Sequence, residues 1–276
     1  MNERGARPPL LQAATAARVS AAALASLVAC STPTTTPPLR FSQPVVLLGE
    51  VHDNAAQHAL RLDAFRAWIA DGARPALALE QFDRDKQPLI DQLLAQTPKP
   101  DADTLIAAAG SKGWLWQHYR PFIALAIEHG LPVVAANVGR DEARQVMRGG
   151  LAAAGFGAEV PLAVLNTQAR GIEASHCGML DAATSQRMAL AQVARDQFMA
   201  QVLQTHADRG VVLLAGNGHV RTDLGVPLWL PPEVRARSEA IGMLEVGDTD
   251  TAYDRRLYTV AQARADPCEA MRAPRR

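Results

Sequence analysis

An excess of charge of either sign is missing from this sequence: 28 Lys and Arg balance 28 Asp and Glu over 276 residues. That balance removes the broad basic surface that nucleic-acid binding needs and the acidic tail that would select a cationic partner, so a binding role must rest on a local site. Cysteine is scarce, with Cys30, Cys177 and Cys268 the full set. Once Cys30 is set aside for the reason below, the other two form no disulfide framework, and sequence does not show that they meet. No HExxH segment fixes metal ligands on one helix, and no solenoid-type repeat is present. Aromatic residues are only 5% of the chain. What is plentiful is apolar material, 48% of residues, enough for one large globular core.

The first thirty residues differ in kind. Arg4, Arg7 and Arg18 precede an Ala-rich apolar run at 19–29, too short for a mature membrane span and the right length for the core of a signal peptide. It ends in Leu27, Val28, Ala29 and Cys30, which resemble the bacterial lipobox, where the cysteine becomes the lipidated first residue. Residues 1–29 are therefore read as a lipoprotein signal peptide and Cys30 as the lipidation site. Ser31, rather than Asp, follows the cysteine, which by resemblance to Gram-negative lipoproteins favours an outer-membrane anchor. A Thr/Pro stretch over 30–40 reads as a tether, residues 41–262 as one domain, and 263–276 as a flexible tail.

Short Val, Leu and Ala runs occur at 45–48, 76–79, 132–136 and 211–215. They lack period-two alternation, as strands buried on both faces of a parallel sheet do. Helical patterns lie between them. One at 54–70 places His58, Leu62, Phe65 and Ile69 on one face behind Asp53 or Asn54 as cap; a second opens at Pro121 and closes at Gly130. A third covers 182–206, with Asp181 as cap and Gly210 as stop. The alternation predicts an α/β fold, a mostly parallel central sheet covered by helices, with SEAIGMLEVG and RRLYTVAQ adding late, antiparallel edge strands.

Each predicted strand ends in polar residues: Gly49, Glu50 and His52; Glu80; Asn137; Gly216 and His219. In an open parallel sheet the carboxyl ends of the strands share one edge, and ligands bind in the crevice above it. Glu50, His52, Glu80, Asn137 and His219 are expected to converge there. Such a group is either a divalent-metal site, with His52, Glu80 and His219 as ligands, or a metal-free acid/base cluster. A second group, Trp114, Trp116, His118 and Tyr119, is aromatic-dense and offers a lip for a planar hydrophobic ligand, with Tyr119 or His118 able to ligate haem iron. His176, beside Cys177, is a candidate lining of the same pocket. His58 reads as a packed core histidine.

GEVHDN, LALEQF, the W-x-x-Y-R-P segment at Trp116, Tyr119 and Pro121, ASHCGM, ARDQFMA and GNGHVRTDLGVP together resemble the ChaN-like haem-binding lipoproteins. These belong to a superfamily that includes the Tiki proteases and erythromycin esterases. The resemblance spans residues 41–230. It implies haem binding through an exposed tyrosine, carried over to Tyr119 with Trp114, Trp116, His118 and His176 around it, in homodimers that enclose haem, and a part in haem or iron acquisition. The Tiki-like relatives are metal-dependent peptidases and the esterases use Glu and His without metal. Glu50, His52, Glu80 and His219 match the polar positions common to all three groups, so a hydrolase in the same pocket stays open.

Overall fold

The computed structural model describes residues 1, 38–157 and 159–272. The expected signal peptide after residue 1, the expected lipobox and most of the expected tether lie outside the described residues.

Six strands form one sheet: β1 (Val45–Leu48), β2 (Ala76–Asp83), β3 (Val133–Asn137), β4 (Val211–Leu214), β5 (Ser238–Glu245) and β6 (Arg255–Thr259). They lie in the order β3-β2-β4-β1-β5-β6, and every pairing is parallel. The missing alternation has a direct cause. Alternate residues of each strand face opposite sides, and both sides are dry. Val46, Leu48, Leu77, Leu79, Val212 and Leu214 pack on one face. That face is covered by α1 (Ala55–Ala70), α2 (Gln87–Leu94), α3 (Ala102–Ala109) and α4 (Arg120–Glu128), which contribute Phe65, Ile90, Leu105 and Phe122. Val45, Leu47, Ala78, Val211 and Leu213 meet Met199 and Leu203 of α7 (Ala182–His206) on the other. Two further helices, α5 (Arg140–Gly149) and α6 (Leu162–Ser175), lie against α7.

Two of the sequence-derived caps are observed as hydrogen bonds. The Asn54 side chain accepts from the Gln57 amide and Asp181 from the Thr184 amide, satisfying N–H groups that the first turns of α1 and α7 leave open. Short helices α8 (Asn217–Val220), α9 (Pro232–Arg235) and α10 (Pro267–Arg272) complete the described chain.

The late strands run parallel to the rest of the sheet, not antiparallel as expected. After β5 the chain returns to its starting end before β6 begins. Tyr253 lies flat over Gly242, where a Cβ would come 2.7 Å from the ring. Asp254 then fixes the register, its amide donating to Ala240 O and its carboxylate accepting from the Ala240 amide at 2.8 Å. Two expected boundaries also move. Leu39 is buried in the core and Arg40 pairs with Asp71, so the end of the tether is part of the domain. The expected tail is held: Arg264 bridges Asp53 and Glu245, and Cys268 in α10 forms a disulfide with Cys177.

Candidate functional site

Because Leu48 is in register with Leu214 and with Ile241, and Leu79 with Leu214 and Ala135, the turns that follow these strands open on one edge. Above it lies a crevice of about 1660 Å³, lined by Glu50, His52, Glu80, Asn137 and His219 among others. The five residues expected to converge do so.

Glu50 is fully buried and anchors one network. Its Oε1 accepts from His52 Nδ1 at 2.7 Å and from the Tyr119 hydroxyl, and its Oε2 is paired with Arg61. Arg61 also donates to Leu48 O at 3.0 Å. Burial lowers its pKa to about 10, leaving it cationic at neutral pH. His58 donates from Nε2 to His52 O at 3.0 Å and stacks on His118 at 4.4 Å. Burial holds its pKa down at about 4, so it is neutral.

His219 anchors the other network. Its Nδ1 donates to Asp196 at 2.6 Å, and its Nε2 lies 3.4 Å from Glu80 Oε1. Glu80 Oε2 accepts from the Gly216 amide at 2.8 Å, and Gln168 donates to Asp196 at 3.3 Å. Burial opposes the imidazolium, but Glu80 and Asp196 outweigh it and raise the His219 pKa. Burial likewise works against the Glu80 carboxylate, yet the His219 charge pulls its pKa down. The pair is a carboxylate and an imidazolium. Gly216 allows the two networks to approach, because a Cβ there would sit 2.9 Å from the His52 ring and 3.8 Å from Glu80.

These geometries revise several expected roles. Glu50 is closed off by three partners and cannot take a proton from crevice water. His52 can: its side chain is 49% exposed, its Nδ1–H is committed to Glu50, and burial lowers its pKa, leaving Nε2 a free base. The expected metal set of His52, Glu80 and His219 does not assemble as ligands. Both nitrogens of His219 point at carboxylates, so neither offers a lone pair, and among the described residues no three His, Cys, Asp or Glu side chains converge to hold an ion.

The aromatic group divides. Trp114 and Leu115 line the crevice, with Trp114 edge-on to His52 at 4.8 Å. Trp116 instead packs on Phe82 and donates from Nε1 to Ser111 O. His118 stacks over His58, away from the crevice wall. Tyr119 has no exposed surface, and burial raises the pKa of its hydroxyl. It stands at the start of α4, where the chain turns its ring inward onto Glu50, so it cannot be the exposed iron ligand that the resemblance implied. His176 follows Ser175, the last crevice-lining residue of α6, but does not itself line the crevice as expected; its Nδ1 donates to Ile172 O at 2.8 Å, which leaves Nε2 with the lone pair.

Sequence reasoning missed Arg61, Asp196 and Gln168. Arg61 carried a readable signal, since it falls three residues after His58 and four before Phe65 on the inward face of α1. Asp196 sits in the ARDQFMA segment but gave no sign of its partner.

Comparison with known families decides the grouping. The family described as haem-binding uptake, Tiki superfamily, ChaN matches residues 41–230. The chain belongs to this family. A solved ChaN from Campylobacter jejuni, described as showing cofacial haem binding, superposes with a TM-score of 0.64 at 22% identity, over 75% of this chain and 84% of that one. The ChaN family fold is thus shared. An erythromycin esterase mutant, EreC, in its open conformation gives a TM-score of 0.42 at 13% identity, covering 74% of this chain and 70% of its own. A succinoglycan biosynthesis protein gives 0.44 at 12% identity, covering 74% and 66%. No curated protein matches the sequence.

Proposed function

We propose that this ChaN-family protein is an outer-membrane lipoprotein that binds haem at the crevice and takes part in haem or iron acquisition. The family match over 41–230 carries the reading. The residues present fit the group. The crevice is larger than a drug-sized pocket of about 300–1,000 Å³ and has apolar wall at Trp114, Leu115, Val138 and Ile172. His176, at the crevice edge beside the lining residue Ser175, would take the place of Tyr119 as the iron ligand. Its Nδ1–H is tied to a backbone carbonyl and Nε2 is the free donor, the arrangement that metal-binding imidazoles use. The Cys177–Cys268 disulfide fixes the adjoining turn. Haem, when bound, would supply an iron centre, which His176 would hold against the apolar wall of Trp114, Leu115, Val138 and Ile172. A second copy facing the crevice mouth would enclose the haem.

The disulfide also supports export, because such bonds persist outside reducing cytosol. Together with the lipobox ending at Cys30 it supports a lipid anchor. Titration with haemin should produce a Soret shift that His176→Ala weakens and moves. Absence of any Soret change in the wild-type protein would sink the haem reading. Loss of membrane fractionation in Cys30→Ser would support the anchor, and unchanged fractionation would remove it.

The Glu50–His52 pair favours a second reading. His52 Nε2 could take a proton from water attacking a carbonyl, with Glu50 holding the tautomer and the His219 imidazolium stabilising negative charge. A screen with esters and peptides tests it, and turnover unaffected by His52→Ala would reject it.

A further inference from the structure

Arg195 lies on the crevice wall, one residue before Asp196 on α7. Its surroundings set it apart from the other charges there. Asp85, Asp141 and Glu142 of the wall are paired with Lys86, Arg144 and Arg84. Glu80 and Asp196 are committed to His219, and Glu50 to Arg61. Arg195, by contrast, makes no hydrogen bond and no ion pair within 4 Å with any described residue; burial lowers its pKa, and the carboxylates of Glu80, Asp196 and the cation-free Asp83 act on it only at longer range. Arg140, an exposed lining residue at the start of α5, likewise makes no hydrogen bond or ion pair with a described residue. A guanidinium carries five N–H donors in a fixed fork, and since none of the Arg195 nitrogens is a buried atom without a partner, the fork opens to the crevice, where water or a ligand completes it.

We propose that Arg195, together with Arg140 of the same lining, is the carboxylate-binding subsite of the crevice, and that its occupant is a carboxylate arm of the crevice ligand. The planar fork matches a carboxylate through two parallel hydrogen bonds. Under the haem reading, on which the choice of ligand rests, the arm is a propionate. The spacing agrees. Gln168 and Asp196 hydrogen-bond across the α6–α7 pair, and His176 is eight residues beyond Gln168, so at 1.5 Å per residue Arg195 sits about 12 Å along the helix pair from the iron-ligating position. That is the scale of a porphyrin ring with its side arms. The rim cation Lys112 has no carboxylate partner among the described residues either.

The test compares haemin with its dimethyl ester, in which both propionates are neutral. The wild-type protein should bind haemin at least about tenfold more tightly than the ester, as expected for one charged bidentate contact. Arg195→Gln should reduce that preference to near unity while the Soret maximum stays where it is, since iron ligation is untouched. A preference that survives Arg195→Gln overturns the proposal. If that variant does not fold, Arg195→Lys, which keeps the charge and loses the fork, should cut the preference at least several-fold, and an unchanged preference is again refuting. A separate arm does not depend on haem. In the wild-type protein, propionate added at constant ionic strength should shift the Arg195 Nε–H resonance saturably. Failure of haemin to bind removes the haem reading and leaves this titration to judge the subsite: a saturable shift upholds it and no shift overturns it.

Discussion

Tyr119→Phe separates two roles that one residue cannot hold together. In the structure the phenol is buried, ringed by His58, Trp114 and Trp116 at centroid distances of 5.1, 5.8 and 6.1 Å, and its hydroxyl donates to the Glu50 carboxylate. Phenylalanine keeps every ring contact and deletes one donor. A hydrogen bond to a charged acceptor contributes about 1.5–3 kcal/mol. Glu50 keeps Arg61 and His52, so it is not left bare and the loss belongs at the lower end of that range. In a domain of this size each kcal/mol moves the thermal midpoint by about 2–4 °C, which puts the variant about 3–6 °C below the wild type. Haem binding should be unchanged in both Soret position and affinity. Thermal unfolding followed by circular dichroism, beside a haemin titration, gives both numbers. An unaltered midpoint together with a lost or shifted Soret band would refute the reasoning and return Tyr119 to the iron.

Arg61→Met should be far more damaging, by about 3–5 kcal/mol, because it strips the buried Glu50 of its countercharge; adding Glu50→Gln should recover part of the loss, and a strictly additive double variant in urea denaturation would argue against the pair. Stability should fall in mild acid. His58 has a folded pKa near 4, below its unfolded value of about 6.5, so the unfolded chain binds the extra proton between them. That stabilisation is fully present above pH 6.5 and is lost as pH falls through 4, at most about 3 kcal/mol. Urea midpoints from neutral pH downward should show a shallower slope in His58→Asn, and parallel slopes would contradict it. Cys177→Ser opens a loop of 91 residues and should lower stability by about 4 kcal/mol or less, with reductant producing the same drop in the wild type and none in the variant.

The sheet was legible because burial on both faces writes itself into composition: four residues of uninterrupted Val and Leu at β1 and β4 leave no alternation to misread. The caps at Asn54 and Asp181 were legible because capping is local in sequence. Strand direction at the sheet's far edge was not. It depends on the return of the chain between β5 and β6, which is set by a contact between Tyr253 and Gly242 that no local pattern encodes. The held tail has the same origin, since Arg264 finds Asp53 across 211 residues.

The site shows where that boundary falls. Strand-end positions are topological, so Glu50, His52, Glu80 and His219 were found without any knowledge of their partners. What each can do chemically is decided by those partners, and these come from helices far away in sequence: Arg61 closes Glu50, and Asp196 fixes the charge of His219. The burial of Tyr119 was illegible for this reason, since its motif specifies the residue but not the carboxylate it turns toward. Overall charge balance likewise pointed to a local site without naming its residues. A chain with 28 charges of each sign still leaves Arg195 and Arg140 without an ion pair in the crevice, because Glu80 and Asp196 are committed to His219. Net charge is a sum over the surface, whereas recognition depends on the few charges that the fold leaves unpaired.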